Sequence, residues 1–154
     1  MKQPSLSAIA VLTLTILLIV PVHRAEAVFS IFSSHKKVAA ADGRIEIPIA
    51  HVDDGKAHYF QHKVNDSTVK FFVVKSSDGV IRAAFDACDV CFPAKKGYSQ
   101  DGDFMVCNNC GQRFHSSRIN VVKGGCNPAP LTRQVVADNL VIRVEDVSSG
   151  ARFF

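Results

Sequence analysis

From residue 44 onward apolar and polar positions alternate with a period of two, which predicts strands rather than helices. Ile45, Ile47 and Ile49 face one way, and Arg44, Glu46 and Pro48 face the other. Pro48 has no N–H to give, so this strand belongs at a sheet edge. Asp53-Asp54-Gly55 turns the chain into a second strand over residues 56–64, with His58, Phe60 and His62 on one face and Tyr59, Gln61 and Lys63 on the other. After a turn at Asn65-Asp66, residues 69–74 form a β-branched and aromatic run suited to a buried strand. Ser77-Asp78-Gly79 closes a hairpin onto residues 80–85, Asp101-Gly102 leads into residues 103–106, and a late strand covers 140–144. No segment keeps a 3.6-residue period over ten residues. The pattern predicts an all-β domain, a small antiparallel sandwich or open barrel, without internal repeats.

The first 27 residues are patterned differently. Lys2, an apolar run over residues 9–22 and the small-x-small site Ala25-Glu26-Ala27 read as a signal peptide, with a retained anchor as the alternative. The run is shorter than the roughly 20 apolar residues that span a bilayer. Residues 28–43, small and polar, read as a linker, and residues 44–150 as the folded domain. The chain is thus expected in the periplasm or on the outer face of the cytoplasmic membrane, with membrane association through the N-terminal segment.

Charge narrows the partners. The formal net charge is +4, but the basic residues are scattered at Lys36-Lys37, Lys95-Lys96, Arg113, Arg118 and Lys123. No basic block alternates with stacking aromatics, so no nucleic-acid partner is expected. A basic rim near residues 88–126 could meet an anionic partner face, although a solvated surface reads as well. No serine, histidine and acid arrangement suggests a hydrolase, and the chain reads as a carrier or metal-binding protein rather than an enzyme.

All five cysteines fall between residues 88 and 126. Cys88-Asp89-Val90-Cys91 is followed by fifteen residues and then by Cys107-Asn108-Asn109-Cys110-Gly111. Each C-x-x-C turn can aim two thiolates at one point, and two such turns make a four-sulfur site of Cys88, Cys91, Cys107 and Cys110. Cys126 lies alone in Gly124-Gly125-Cys126-Asn127-Pro128-Ala129-Pro130-Leu131, a loop that could cap the site. It reads as a fifth thiolate near the cofactor, a replacement ligand, or a small packed residue. Disulfides are the alternative in an oxidising compartment, but five is an odd number.

Spacing alone favours zinc, and four cysteines also accept one iron or a [2Fe–2S] cluster. A chain exported unfolded could not carry a cluster made in the cytoplasm, which also favours zinc. His51, His58, His62 and His115 read as surface or packed residues, although His115 could sit near the site. His58 and His62, four strand residues apart, cannot share an ion. Asp86 and Asp89 are expected to orient loop amides.

Phe71-Phe72-Val73-Val74, Asp78-Gly79-Val80-Ile81-Arg82, Phe85-Asp86-Ala87-Cys88-Asp89-Val90-Cys91, Gly97-Tyr98, Cys107-Asn108-Asn109-Cys110-Gly111 and the Gly124–Leu131 loop together resemble the FtrD-like membrane iron–sulfur family. The resemblance covers most of the chain after residue 56. It implies a ferredoxin-like role beside a ferrous-iron uptake permease in the bacterial envelope. A looser similarity is to Rieske domains, through Cys107-x-x-Cys110-Gly111-x-x-Phe114 and Gly125-x-x-Pro128, with cysteines standing where histidines would be expected. It implies a Rieske-like β fold, while four thiolates would lower the potential toward plant-type ferredoxin values.

The resulting expectation is an exported electron-transfer protein. Its iron–sulfur cluster, [2Fe–2S], is bound by Cys88, Cys91, Cys107 and Cys110 with Cys126 beside it, and its partner is an envelope redox protein or iron permease complex. A zinc-stabilised module, a mononuclear iron site and a metal-delivery or thiol-redox protein are the alternatives.

Overall fold

The computed structural model describes residues 35–154. The expected signal segment (1–27) and residues 28–34 of the expected linker lie outside the described residues. The chain enters as a two-residue strand, β1 (Lys36–Lys37), and continues through β2 (Arg44–Pro48), β3 (His58–Val64), β4 (Ser67–Lys75) and β5 (Ile81–Phe85). Then come β6 (Tyr98–Asp101), β7 (Phe104–Cys107), β8 (Arg113–His115), β9 (Gln134–Val136), β10 (Asn139–Arg143) and one short helix, α1 (Val144–Ser148). Three sheets result, with strand orders β1-β3-β4-β5, β2-β10-β9 and β6-β7-β8. The all-β class expected from the alternation is the class observed.

The unbroken apolar run in β4 organises these sheets. Val69, Phe71 and Val73 enter a core with Ile45, Ile47, Phe60, Leu140 and Ile142, between the four-stranded sheet and the β2-β10-β9 sheet. Phe72 and Val74 point the other way, into a second core with Ala84, Tyr98, Met105, Ile119, Cys88 and Cys107. A strand covered on both faces needs apolar residues at successive positions, which is why alternation lapses here. Each such side chain, fully buried, contributes about 1.5–3 kcal/mol. β2 lies at the end of its sheet, with Pro48 opposite Asn139, as the proline requires.

Both ends of the domain extend beyond the expected bounds. Lys36 and Lys37 pair parallel to Phe60 and Gln61 of β3, and the Val38 amide donates to the Gln61 carbonyl at 3.0 Å. Two residues of the expected linker (28–43), Lys36 and Lys37, are therefore in the sheet. The reason is the open edge of β3, whose backbone groups accept a partner strand whatever its side chains. At the other end, residues 151–153 make a helical turn that buries Phe153 against Phe85, with ring centroids 5.9 Å apart.

Two long-range features place the cysteine loops. Residues 129–131 run beside β5: the Phe85 amide donates to the Ala129 carbonyl at 2.8 Å and the Ala129 amide to the Ala87 carbonyl at 2.9 Å. This lays the Gly/Pro loop over the first cysteine turn. Arg82, buried in β5, donates from Nε to the Ile119 carbonyl at 3.0 Å and grips both Asp78 carboxylate oxygens at 2.7 Å. Among the described residues no helix is long and apolar enough to cross a membrane.

Candidate metal centre

Three loops meet at one end of the second core. β5 runs into the first, where Cys88 is only 1% exposed and Cys91 is half-buried. The Cys91 amide donates to Cys88 Sγ at 3.1 Å, folding the turn around the sulfur. β7 ends in the second loop at Cys107, which is 2% exposed, while Cys110 is exposed. There the Gly111 amide donates to the Cys107 carbonyl at 2.8 Å, and Gly111 takes a φ of +74°, a conformation that glycine adopts without strain. The third loop brings half-buried Cys126, whose carbonyl accepts the Tyr98 hydroxyl at 2.7 Å.

The five sulfurs form two overlapping triads. Cys88, Cys91 and Cys126 make one, and Cys91, Cys107 and Cys110 the other, with the sulfurs of each triad within 4.8 Å of one another. Cys91 belongs to both. Its sulfur lies 3.7 Å from that of Cys126. Two thiolates on one tetrahedral ion with metal–sulfur bonds of about 2.3 Å lie about 3.8 Å apart, so this spacing fits a shared metal. The donor set, all soft sulfur, suits zinc or iron–sulfur binding and not hard cations.

Electrostatics set the thiols against one another. Burial resists ionisation of Cys88, but the nearby Tyr98 side chain and hydrogen bonds from the Cys91 and Val90 amides outweigh it and hold its pKa below the ordinary value. Cys110 is also held down, chiefly by the Gln112 amide. Burial pushes Cys107 up to about 11. Burial, then Cys91 and Cys110, push Cys126 up to about 12. Tyr98 is driven well above its usual value by burial and by Cys88, so its hydroxyl stays a donor. Without a cation, protons must cover several of these sulfurs; a bound metal replaces them.

All four C-x-x-C thiols and Cys126 thus come together. Cys126 is half-buried, packed against the second core, with its sulfur near those of Cys88 and Cys91. The histidines do not join either triad. His115 sits opposite Phe104, at the other end of β7 from Cys107, with its Nδ1 2.8 Å from Ser117 Oγ. His58 pairs with Asp54 at 2.7 Å, and His62 Nδ1 meets the Val38 carbonyl at 3.0 Å. Asp86 takes the expected part, accepting the Tyr98 amide at 2.7 Å, and it also meets His35 Nε2 at 2.9 Å. Asp89 departs from it and pairs with Arg152 at 3.1 Å on the surface.

Tyr98 and Gly97 adjoin the sulfur site, a placement that the spacing of the cysteines does not reveal. Gly97 has a φ of +64°, and any Cβ there would strike the Asp86 carboxylate. Only a glycine lets that carboxylate reach the Tyr98 amide. The signal for it was the Gly-Tyr pair itself, which carries no metal chemistry and stood out only within the family pattern.

No curated protein matches the chain. Among solved structures, the quaternary ammonium Rieske monooxygenase CntA bound to an inhibitor is similar over 64% of this chain and 30% of its own, at 14% identity and a TM-score of 0.42. The same monooxygenase bound to gamma-butyrobetaine is similar over 63% of this chain and 30% of its own, at 15% identity and a TM-score of 0.41. This chain therefore spans under a third of those enzymes' length. The family described as "Membrane iron-sulfur containing protein FtrD-like" matches residues 52–154, a stretch that holds all five cysteines, Tyr98 and the Gly/Pro loop. The chain belongs to this FtrD-like iron–sulfur family.

Proposed function

We propose that this protein is an exported electron carrier whose cysteine loops hold a [2Fe–2S] cluster and which serves ferrous-iron uptake in the bacterial envelope. Cys88, Cys91, Cys107 and Cys110 are the proposed ligands, with Cys126 beside them. Five thiols gathered as two triads about Cys91 carry this reading. A single zinc ion held by four thiolates needs all of them about 3.8 Å apart in one tetrahedron. The sulfur spacing admits either group, and membership of an iron–sulfur family favours the cluster.

The cluster, when bound, takes up and releases one electron at a time. The chain's own residues govern how readily. Cys88 and Cys107 lie behind the second core, where water is excluded. Amide N–H groups directed at Cys88 and Cys110 offset negative charge on sulfur and favour the reduced form. Exposed Cys110 offers the short path to the surface. Lys95, Lys96 and Lys123 flank the same loops and suit an anionic face on a redox partner or permease complex.

The test is anaerobic purification with iron, acid-labile sulfide and zinc measured together, followed by dithionite titration. Equal iron and sulfide with reversible bleaching is the expected result. A colourless protein with stoichiometric zinc overturns the proposal in favour of a metal-stapled binding module.

A further inference from the structure

A [2Fe–2S] cluster takes four thiolates, and this site offers five. The five are not equivalent. Cys88 and Cys107 are fixed at the ends of β5 and β7 and are almost fully buried. Cys91 lies in both triads, in reach of every other sulfur. Cys110 and Cys126 remain, one exposed and one half-buried, on the open side of the site. Each lies in a triad with Cys91, Cys126 alongside Cys88 and Cys110 alongside Cys107. Each also adjoins a glycine in the left-handed region, Gly111 at φ +74° and Gly125 at φ +61°, with nothing within 4 Å of where a Cβ would sit. Solvent reaches these two residues and not the buried pair.

We infer that Cys110 and Cys126 compete for one ligand position at the outer corner of the cluster, so that either fills it when the other is withdrawn. The exchange needs no oxidant. One iron–sulfur bond breaks as another forms, and the proton of the arriving thiol passes to the departing thiolate. A partner docking on the exposed side that displaced Cys110 would thus leave the cluster with its four thiolates intact. The inference rests on the proposed cluster and adds to it which thiols are permanent and which alternate.

Alanine variants test it, since alanine offers no oxygen ligand in place of sulfur. Cys110→Ala and Cys126→Ala are each expected to keep the wild-type iron and sulfide per chain, with distinct electron paramagnetic resonance spectra. The double variant is expected to lose most of its iron, as is Cys88→Ala alone. Alkylation of the intact wild-type holoprotein, read by mass spectrometry, guards against a variant that merely misfolds. It should modify one thiol per chain, with the label divided between Cys110 and Cys126. Loss of the cluster from either single variant, its retention in the double, or label confined to one of the two residues would overturn the inference. Wild-type protein without iron and sulfide would instead overturn the proposed cluster itself.

Discussion

The two faces of β4 support two differently made cores. On one face, Phe71 and Val73 meet Ile45, Ile47, Leu140 and Ile142, a set with no polar atom in its side chains. On the other, Phe72 and Val74 meet a smaller set that includes two cysteines and a tyrosine hydroxyl. The first core is closed by hydrocarbon packing and stabilises itself by burial alone. The second is closed by sulfur, and burial, with neighbouring thiols after it, resists ionisation of Cys107 and Cys126. The difference assigns stability to one side of a single strand and chemistry to the other.

The largest effect should come from the hydrocarbon side. Phe71→Ala removes a fully buried ring stacked on Phe60 at 5.5 Å and is expected to cost about 3–5 kcal/mol. Urea unfolding should show this loss in apo and metal-loaded protein alike. A loss seen only in the loaded form would mean that the two cores are one.

Stripping the metal probes the other side. Hydrogen exchange after chelation should quicken at least about tenfold in β6–β8, equivalent to about 1.4 kcal/mol of local stability. β2 and β10, which pair with each other over Arg44–Pro48, should keep their protection. Equal acceleration in both sheets would break the comparison.

Gly97→Ala strikes the join between the sulfur side and the chain's entry. The added methyl meets the Asp86 carboxylate, which accepts the Tyr98 amide and meets His35. Strain at a left-handed φ alone costs about 1 kcal/mol, and the displaced carboxylate adds to it. The thermal midpoint should fall and the visible spectrum should shift, because Tyr98 holds the Cys126 carbonyl beside the sulfurs. A lower midpoint with an unchanged spectrum would confine Gly97 to a structural part.

Local patterns made much of this architecture legible. The Phe71–Val74 run announced a buried strand, Pro48 an edge, and the two C-x-x-C turns a sulfur site. What escaped depended on distant partners. β1 is a strand because β3 has an open edge, and nothing in Lys36-Lys37 says so. β6, β8 and β9 are only three or four residues each, too short for alternation to register. Cys126 reaches Cys91 because residues 129–131 hydrogen-bond along β5, a contact made across the whole cysteine region. Sequence spacing could place Cys126 in a cap, but the pairing that closes the cap is tertiary.

The smallest expected effect concerns pH, and it sharpens the boundary between the cores at Arg82. This buried guanidinium ties the Ile119 carbonyl, on the sulfur side, to Asp78 at the hairpin before β5. Hydrogen bonds from Arg82 and then Ser76 hold the Asp78 carboxyl well below its ordinary 3.8. A carboxylate whose pKa falls on folding stabilises the fold fully above its unfolded value, and that contribution disappears as pH falls through the folded one. Asp78→Asn should therefore lower stability by a constant amount above about pH 5, and the gap from wild type should narrow progressively as pH falls from about 4 into strong acid. Urea midpoints of the two proteins across that range measure it, since other carboxylates cancel in the difference. A gap that stayed the same into strong acid would mean that Arg82 is held by the Ile119 carbonyl and Ser76 rather than by the charge of Asp78.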